Sequence, residues 1–189
     1  MAEKPPAAGK SSFDLIDKKR FFSLLDLPPN SIFIDLACGT GRYSIEIANT
    51  TGAEHKIYAI DLWAEGIEVL NALIKDQGIA NIHTIVADIS NKIPLETASA
   101  DVCLLSTTLH DLSQEAQEST IREVYRVLKP EGVFNIIEFK KIDKGPGPPI
   151  SIRLTEDEVN KFVSKYGFEK ITSDEVGAFN YLIRFQKNT

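Results

Sequence analysis

Apolar positions along the chain alternate between two kinds of spacing. Short runs of consecutive apolar residues, typical of strands buried in a sheet, are separated by segments in which apolar residues recur every three or four positions, as on one face of a helix. This alternation predicts an α/β fold with a doubly wound, Rossmann-like sheet whose strands are mostly parallel. The strands predicted in this way are residues 31–36, 56–61, 83–87, 102–106 and 133–139.

The helices are predicted from apolar spacing and from residues that begin or end a helix. A helix over residues 41–50 follows the first strand. Ser113 is suited to begin another, because its hydroxyl can accept a hydrogen bond from a free backbone amide, and Lys-Pro-Glu-Gly at 129–132 ends it. The apolar face of this helix is predicted as Ile121, Val124, Tyr125 and Leu128. Thr155 and Glu158 form a capping box at the start of a later helix. A helix after the second strand is indicated by apolar residues on one face: Ile67, Leu70, Leu73 and Ile74.

Two late apolar runs, residues 168–173 and 178–186, have no helix between them. They predict an antiparallel hairpin that closes one edge of the sheet. Residues 90–100 contain a proline and lack a regular period, which indicates an irregular loop. We interpret residues 12–189 as a single domain and residues 1–11 as a flexible N-terminal tail.

Composition and charge narrow the classes of protein. At 189 residues, 43% hydrophobic and 25% charged, the chain falls in the range of ordinary globular proteins and outside the disordered and disulfide-rich classes. A net charge of −6 disfavours nucleic acid as a partner. The chain lacks an apolar run long enough for a bilayer, and its first residues lack the apolar middle of a signal peptide. We therefore expect a cytoplasmic protein without membrane insertion. Cys38 and Cys103 do not have the spacing of a metal site, and no metal is predicted.

The strongest chemical signal is a glycine-containing turn between the first predicted strand and the helix that follows it. Gly39 and Gly41 permit positive φ and leave room for a ligand near the backbone, while the amides at the start of the helix can face a negative group. Asp61 follows Gly41 by 20 residues and ends the second strand, where doubly wound nucleotide sites place the acid that binds ribose hydroxyls. The pattern predicts a ribose-containing ligand.

Dinucleotides and adenosyl sulfonium compounds both contain such a ribose. A dinucleotide fingerprint would require a small residue where this chain has Arg42. Asp35, at the end of the first strand, would repel a pyrophosphate but suits an ammonium or sulfonium group. These two residues favour the cationic ligand.

The same residues resemble those of class I S-adenosylmethionine-dependent methyltransferases, and the resemblance runs from about residue 12 to residue 186. The turn at 34–41 resembles the first motif of that family, residues 86–89 resemble the third, and residues 127–132 resemble the segment before the fifth strand. The chain is most similar to the small single-domain group related to quinone-biosynthesis methyltransferases.

The resemblance implies a seven-stranded sheet with an antiparallel C-terminal strand, S-adenosyl-L-methionine as cofactor and a small-molecule acceptor. Leu62 or Trp63 would cover the adenine, and the sequence does not choose between them. The cofactor-binding residues carried over are Asp35, Ala37, Gly39, Gly41, Asp61, Leu62, Asp88, Ile89 and Ser106. Asp88 also has a purely structural interpretation, as the first residue of an Asx turn.

The predicted function is methyl transfer by direct displacement at the methyl carbon. His110 follows the fourth strand at the ligand-binding edge of the sheet, and we predict it as the catalytic residue, with capping of the next helix as its structural alternative. Apolar residues in the segment 13–25 predict either a lid or a helix packed on the sheet edge. Two other functions fit the motifs: a non-catalytic protein that binds S-adenosylmethionine or S-adenosylhomocysteine, and a nicotinamide oxidoreductase.

Overall fold

The computed structural model describes residues 8–189, and its centre is a seven-stranded sheet. The order of strands is β3-β2-β1-β4-β5-β7-β6. β7 is antiparallel to both of its neighbours, and the other adjacent pairs are parallel. The strands are β1 (Ile32–Leu36), β2 (Lys56–Asp61), β3 (Ile82–Val86), β4 (Ala100–Ser106), β5 (Leu128–Phe139), β6 (Phe168–Glu175) and β7 (Asn180–Lys187). The predicted fold class, including the antiparallel C-terminal strand, is confirmed.

Five α-helices within residues 8–189 cover the two faces of the sheet. They are α1 (Lys18–Leu24), α2 (Arg42–Thr51), α3 (Ala64–Gln77), α4 (Gln114–Val127) and α5 (Glu156–Val163). α4 begins as predicted, because the Ser113 hydroxyl accepts from the amide of Ala116 at 3.3 Å. The capping box of Thr155 and Glu158 at α5 is present. Residues 90–100 are irregular up to the start of β4, also as predicted.

The core consists of two apolar layers, one on each face of the sheet. One layer joins the sheet to α4 and α5 through side chains such as Ile121, Val124 and Val159. The other joins it to the helices of the N-terminal half through residues that include Phe21 and Ile47. The strands between the layers are apolar on both faces, which is why they are continuous hydrophobic runs in the sequence.

The segment 128–132 differs from its prediction, in which Leu128 belongs to the helix and residues 129–132 form the turn that ends it. α4 ends at Val127, and Leu128 already begins β5, buried and paired with Ala100 of β4. A register shift between Ala100 and Val102 accommodates the extra residues, with Glu131 at φ +63°. The pattern misled because Leu128 has the right spacing for the buried face of α4 and is equally suited to the start of a strand.

The N-terminal part of the described chain packs against the sheet. A short 3-10 helix, Ser12–Asp14, precedes α1, and Phe13 and Phe21 are 3% and 0% exposed. Of the tail predicted over residues 1–11, residues 1–7 lie outside the described residues. Residues 8–11 are described and precede the 3-10 helix. Among the helices that the structure describes, none is both long and apolar enough to cross a membrane.

The direction of strand order reverses between β1 and β4, because the chain proceeds from β1 outward to β3 and then returns to the other side of β1. In open α/β sheets a crevice forms at such a reversal, beyond the carboxyl ends of the strands. This is the place at which β1, β2 and β4 deliver the residues selected from the sequence.

Candidate active site

A cavity of about 500 Å³ lies at this crevice. Its wall includes every predicted cofactor-binding residue except Gly41: Asp35, Ala37, Gly39, Asp61, Leu62, Asp88, Ile89 and Ser106. Cavities of this size accommodate small organic ligands and cofactors. The sequence-based set is therefore brought together in space.

The two glycines of the turn have different surroundings. A Cβ on Gly39 would meet no atom within 4 Å, whereas one on Gly41 would lie 2.4 Å from the Cδ1 atom of Leu70 on α3. Both residues have positive φ, +57° and +73°. Gly39 thus leaves open space at the cavity wall, and Gly41 permits close packing between α2 and α3. The sequence predicted ligand approach at both glycines, and the structure places only Gly39 at the wall.

Asp61 joins the end of β2 to the glycine turn. One carboxylate oxygen accepts from the Gly39 amide at 2.6 Å, and the other accepts from the Trp63 amide at 2.7 Å. Each carboxylate oxygen has a second lone pair. Asp61 is therefore fixed in orientation and can still accept hydrogen bonds from two hydroxyl groups.

Asp35 is almost fully buried, at 1% exposure, and still lines the cavity. Burial raises the pKa of its carboxyl to about 7, although hydrogen bonds from the hydroxyl and amide of Ser44 act in the opposite direction. The Ser44 hydroxyl donates at 2.6 Å. A cation placed beside this carboxyl would stabilise its ionised form, so the position is suited to a positively charged ligand group.

The far end of the cavity combines apolar and polar side chains. Leu62 is 53% exposed at the wall, and Ile89 forms another part of it. Trp63 also reaches the wall, while its ring packs so closely on Gly66 of α3 that a Cβ there would lie 2.3 Å away. Leu62 is the side chain that presents an unpacked apolar surface.

Asp88 forms the Asx turn that was its structural alternative. Its Oδ1 accepts from the amide and hydroxyl of Ser90 at 2.9 and 2.6 Å, and its Oδ2 accepts from Asn91 at 3.0 Å. Because Asp88 also lines the cavity, the turn holds its carboxylate at the wall.

A cluster of hydroxyl groups that sequence reasoning missed lies where the N-terminal segment meets β4. The Ser12 hydroxyl is 2.9 Å from both the Tyr43 and Ser106 hydroxyl oxygens. Burial raises the pKa of Tyr43 to about 12, against the effect of hydrogen bonds from Ser106 and Ser12, so this phenol is neutral. Nothing in local spacing identifies the cluster, because its members lie far apart in sequence.

Residues of the N-terminal segment also form the rim of the cavity. Asp14 makes a two-pronged ion pair with Arg42, and both residues line the opening. The wall continues through residues 8–11. The segment thus packs into the core through Phe13 and borders the cavity through Asp14, and a role as a lid stays a prediction.

His110 does not line the cavity. It is 9% exposed, and its Nδ1 lies 2.6 Å from a carboxylate oxygen of Glu138, which is fully buried at the end of β5. The adjacent Asp111 is the residue that reaches the wall. The catalytic role of His110 stays a prediction, and the structure adds Glu138 as its partner. The only sequence signal for Glu138 is a single acid within the otherwise apolar end of β5.

Burial lowers the pKa of His110, but the hydrogen bond and charge of Glu138, together with the charge of Asp111, outweigh the effect of burial. The pKa of His110 therefore lies above its ordinary value.

Among the described residues, no group of three or more histidine, cysteine or acidic side chains is arranged to hold a metal ion.

Comparison with known proteins identifies several relatives. Residues 27–176 match a family model described as a methyltransferase domain. The chain is 26% identical to a demethylmenaquinone methyltransferase of Lactobacillus johnsonii over 87% of this chain and 64% of that protein. It is also 26% identical to a ubiquinone/menaquinone biosynthesis C-methyltransferase of Ectopseudomonas mendocina, over 87% of this chain and 61% of the relative. The chain therefore spans somewhat less than two thirds of the length of these relatives.

Solved structures show the same architecture. A SAM-dependent methyltransferase from Aquifex aeolicus superimposes with a TM-score of 0.84 at 25% identity, over 97% of this chain and 94% of the other. A Burkholderia thailandensis 1,6-didemethyltoxoflavin-N1-methyltransferase, solved with its acceptor and S-adenosylhomocysteine, gives a TM-score of 0.70 at 20% identity over 90% and 76% of the two chains. At that identity the second match indicates a shared fold.

Proposed function

Since this chain belongs to the S-adenosylmethionine-dependent methyltransferase family, we propose that it transfers a methyl group from S-adenosylmethionine to a small-molecule acceptor by direct displacement. The cofactor of the family supplies an electrophilic methyl group on a sulfonium ion. The observation that carries the proposal is the convergence of Asp35, Gly39 and Asp61 on one cavity. The protein binds and orients the reactants and keeps water away from them.

The wall residues fit the parts of this cofactor. Asp61, held by two amides, has the free lone pairs needed for the two ribose hydroxyls. Leu62 and Ile89 provide apolar surface for the adenine ring, beside the carboxylate of Asp88. Asp35 provides the negative charge for the ammonium and sulfonium groups, and the open space at Gly39 admits the chain between them.

A small acceptor is supported by the size of the cavity, about 500 Å³, which also has to hold the cofactor. The quinone-biosynthesis names of two relatives support a small and partly apolar acceptor, which we carry over as part of the proposal. The net charge of −6 supports the same choice over nucleic acid. We also propose a cytoplasmic location.

Isothermal calorimetry of Asp61→Ala tests the cofactor assignment. The variant is expected to bind S-adenosylmethionine and S-adenosylhomocysteine more weakly by about 1.5 to 3 kcal/mol, because hydrogen bonds to a charged group are lost. Asp76→Ala is the matched control, since Asp76 is exposed on α3 and outside the cavity wall. Unchanged affinity in a folded Asp61→Ala protein contradicts the assignment.

Methyl transfer itself is tested with labelled S-adenosylmethionine and a panel of phenols, quinols, amines and thiols. Transfer of the labelled methyl group to any of these compounds supports the proposed methyltransferase activity. Tight binding of the cofactor without transfer to any acceptor supports the non-catalytic alternative. A fluorescence titration with NADH tests the oxidoreductase alternative. The proposal expects that NADH does not bind.

A further inference from the structure

Three ionisable side chains form a continuous series from the interior of the protein to the cavity. Glu138, at the end of β5, contacts the His110 ring, and Nε2 on the other side of that ring lies 3.6 Å from a carboxylate oxygen of Asp111. Glu138 has no exposed surface, whereas the Asp111 side chain is 32% exposed and lies at the cavity wall. The proposed function leaves all three groups without a role.

Glu138 is a buried carboxylate whose ion-pair partner among the described residues is His110. Its two oxygens also accept from the backbone amides of His110 and Phe139, each at 3.2 Å. Because a carboxylate only accepts, Nδ1 of His110 carries the proton of the 2.6 Å bond. A buried carboxylate is costly unless it is paired in this way, so Glu138 fixes the ring and favours its charged form.

The charged groups around the ring come from three parts of the chain. Glu138 and Asp111 favour the imidazolium, while the positive charge of Arg153 opposes it. Arg153 is itself held by four backbone carbonyls of the loop after β5, including those of Lys140 and Pro148. With the ring fixed, its Nε2 side faces the Asp111 carboxylate at the cavity wall.

We propose, on the basis of the proposed function, that Asp111 rather than His110 is the catalytic residue that accepts the acceptor's proton, because Asp111 lines the cavity and His110 does not. His110 and Glu138 position Asp111, and the acceptor is therefore a hydroxyl compound, a phenol or an enol. In the reaction, a lone pair on the acceptor oxygen, or the enol or ring carbon conjugated with it, forms the new bond to the methyl carbon. The carbon–sulfur bond breaks with its electron pair on sulfur, which leaves a neutral thioether. The hydroxyl proton passes to the Asp111 carboxylate and from there to water.

The negative charge of Asp111 favours a hydroxyl acceptor over an amine acceptor. A carboxylate beside an amine stabilises the ammonium form and so removes the lone pair that has to attack. Beside a hydroxyl, the same carboxylate accepts a hydrogen bond and increases the electron density on oxygen. The hydroxyl groups of Ser106 and Thr108 at the same wall can orient such an acceptor.

The test uses the full chain saturated with S-adenosylhomocysteine and two fluorinated probes, 4-fluorophenol and 4-fluoroanisole, followed by ¹⁹F NMR. The phenol is expected to bind at least about 10-fold more tightly than the anisole, which has no proton to donate, and Asp111→Asn is expected to remove most of that difference. Asp76→Asn is the control and should retain it. With S-adenosylmethionine, Asp111→Asn should lower methylation of the phenol by at least about 10²-fold.

The positioning role requires a separate readout, because Glu138→Gln removes a buried charge and its stability has to be checked by melting. In the variant, NMR titration of His110 is expected to show a pKa below that of the wild type, since burial then acts without its main opposing charge. Asp111→Asn, which is at the surface, should shift the same titration in the same direction. An unshifted His110 pKa in both variants overturns the series.

Failure of this inference can be distinguished from failure of the proposed function. If the wild type does not bind S-adenosylhomocysteine by calorimetry, the proposed function fails and the inference fails with it. If the wild type binds S-adenosylhomocysteine but does not bind 4-fluorophenol, or binds it no more tightly than 4-fluoroanisole, the inference alone is overturned. The inference is also overturned if Asp111→Asn prefers the phenol as strongly as the wild type does.

Discussion

Asp35 shows how a single residue can lower stability and support binding. Its pKa of about 7 in the folded chain lies well above the ordinary value of 3.8. The folded state therefore binds more protons than the unfolded state between about pH 4 and 7, and stability falls as the pH rises through that range. The difference between the two pKa values lowers the free energy of unfolding by roughly 4 kcal/mol at neutral pH and above.

We expect Asp35→Asn to raise the free energy of unfolding above pH 7, by up to about 4 kcal/mol, and to have little effect near pH 4. Urea denaturation at the two pH values measures this difference.

Asp35→Asn should also bind S-adenosylmethionine poorly, since the charge that faces the cation is lost. In the wild type, affinity should fall as the pH is lowered below 7, because binding has to displace a proton. A pH-independent affinity between pH 5 and 8 would contradict this account.

The turn glycines give a second test at the residue scale, with two outcomes. Gly39→Ala places a methyl group in open space at the cavity wall. Its loss of folding stability should be limited to backbone strain, roughly 1 kcal/mol, and its loss of cofactor affinity should be larger than that. Gly41→Ala forces its methyl into Leu70, so loss of stability should dominate. Calorimetry and thermal melting of both variants separate these effects, and each variant is the control for the other. Identical profiles would refute the division of roles.

At the scale of elements, the N-terminal 3-10 helix belongs to two structures at once. Phe13 and Ile16 are 3% and 7% exposed in the core, while Asp14 forms part of the cavity rim. A pure lid would be removable without loss of stability, and a pure core element would be removable without affecting the cavity. The observed geometry fits neither description alone.

Deletion of residues 1–16 is therefore expected to lower both the melting temperature and the affinity for S-adenosylmethionine. Two point variants separate the contributions. Phe13→Ala should cost about 3 kcal/mol or more in stability because it leaves a cavity in the core. Asp14→Asn, at an exposed ion pair with Arg42, should change stability much less than Phe13→Ala does. A deletion variant that binds cofactor with full affinity would exclude the covering role.

At the scale of the whole molecule, cofactor binding should stabilise the fold that assembles the cavity. A ligand that binds only the folded state adds about 2.7 kcal/mol at 100 times its Kd. For a chain of this size, each kcal/mol corresponds to about 2–4 °C, so S-adenosylhomocysteine at that excess should raise Tm by roughly 5–10 °C. Differential scanning fluorimetry measures the shift, and Asp61→Ala should reduce it at the same ligand concentration. A wild-type Tm that does not respond to the ligand would contradict binding at this cavity.

The sequence predicts local elements well and contacts between distant elements poorly. The predicted and observed bounds of β2 agree, because the apolar run 57–60 lies between Lys56 and Asp61. Leu128 was misassigned because its spacing suits both a helix face and a strand. The predicted cofactor-binding residues converge on one cavity because they lie at or just after the carboxyl ends of strands, which the fold brings together. Glu138 and His110 are 28 residues apart, and Ser12 and Ser106 are 94 apart, so only the tertiary structure reveals those contacts.

The reversal of strand order between β1 and β4 also divides the cavity by origin. The residues proposed to hold the cofactor lie at the ends of β1, β2 and β3 and in the turn at Gly39, whereas Ser106 ends β4 and Asp111 follows it. Changes on one side need not disturb the other, because no strand carries residues of both groups. Such a protein can acquire a new acceptor by exchanging the β4 loop and the N-terminal segment while keeping its methyl donor. The same separation makes the loop after β4 the natural region to randomise in a search for variants with altered acceptor preference.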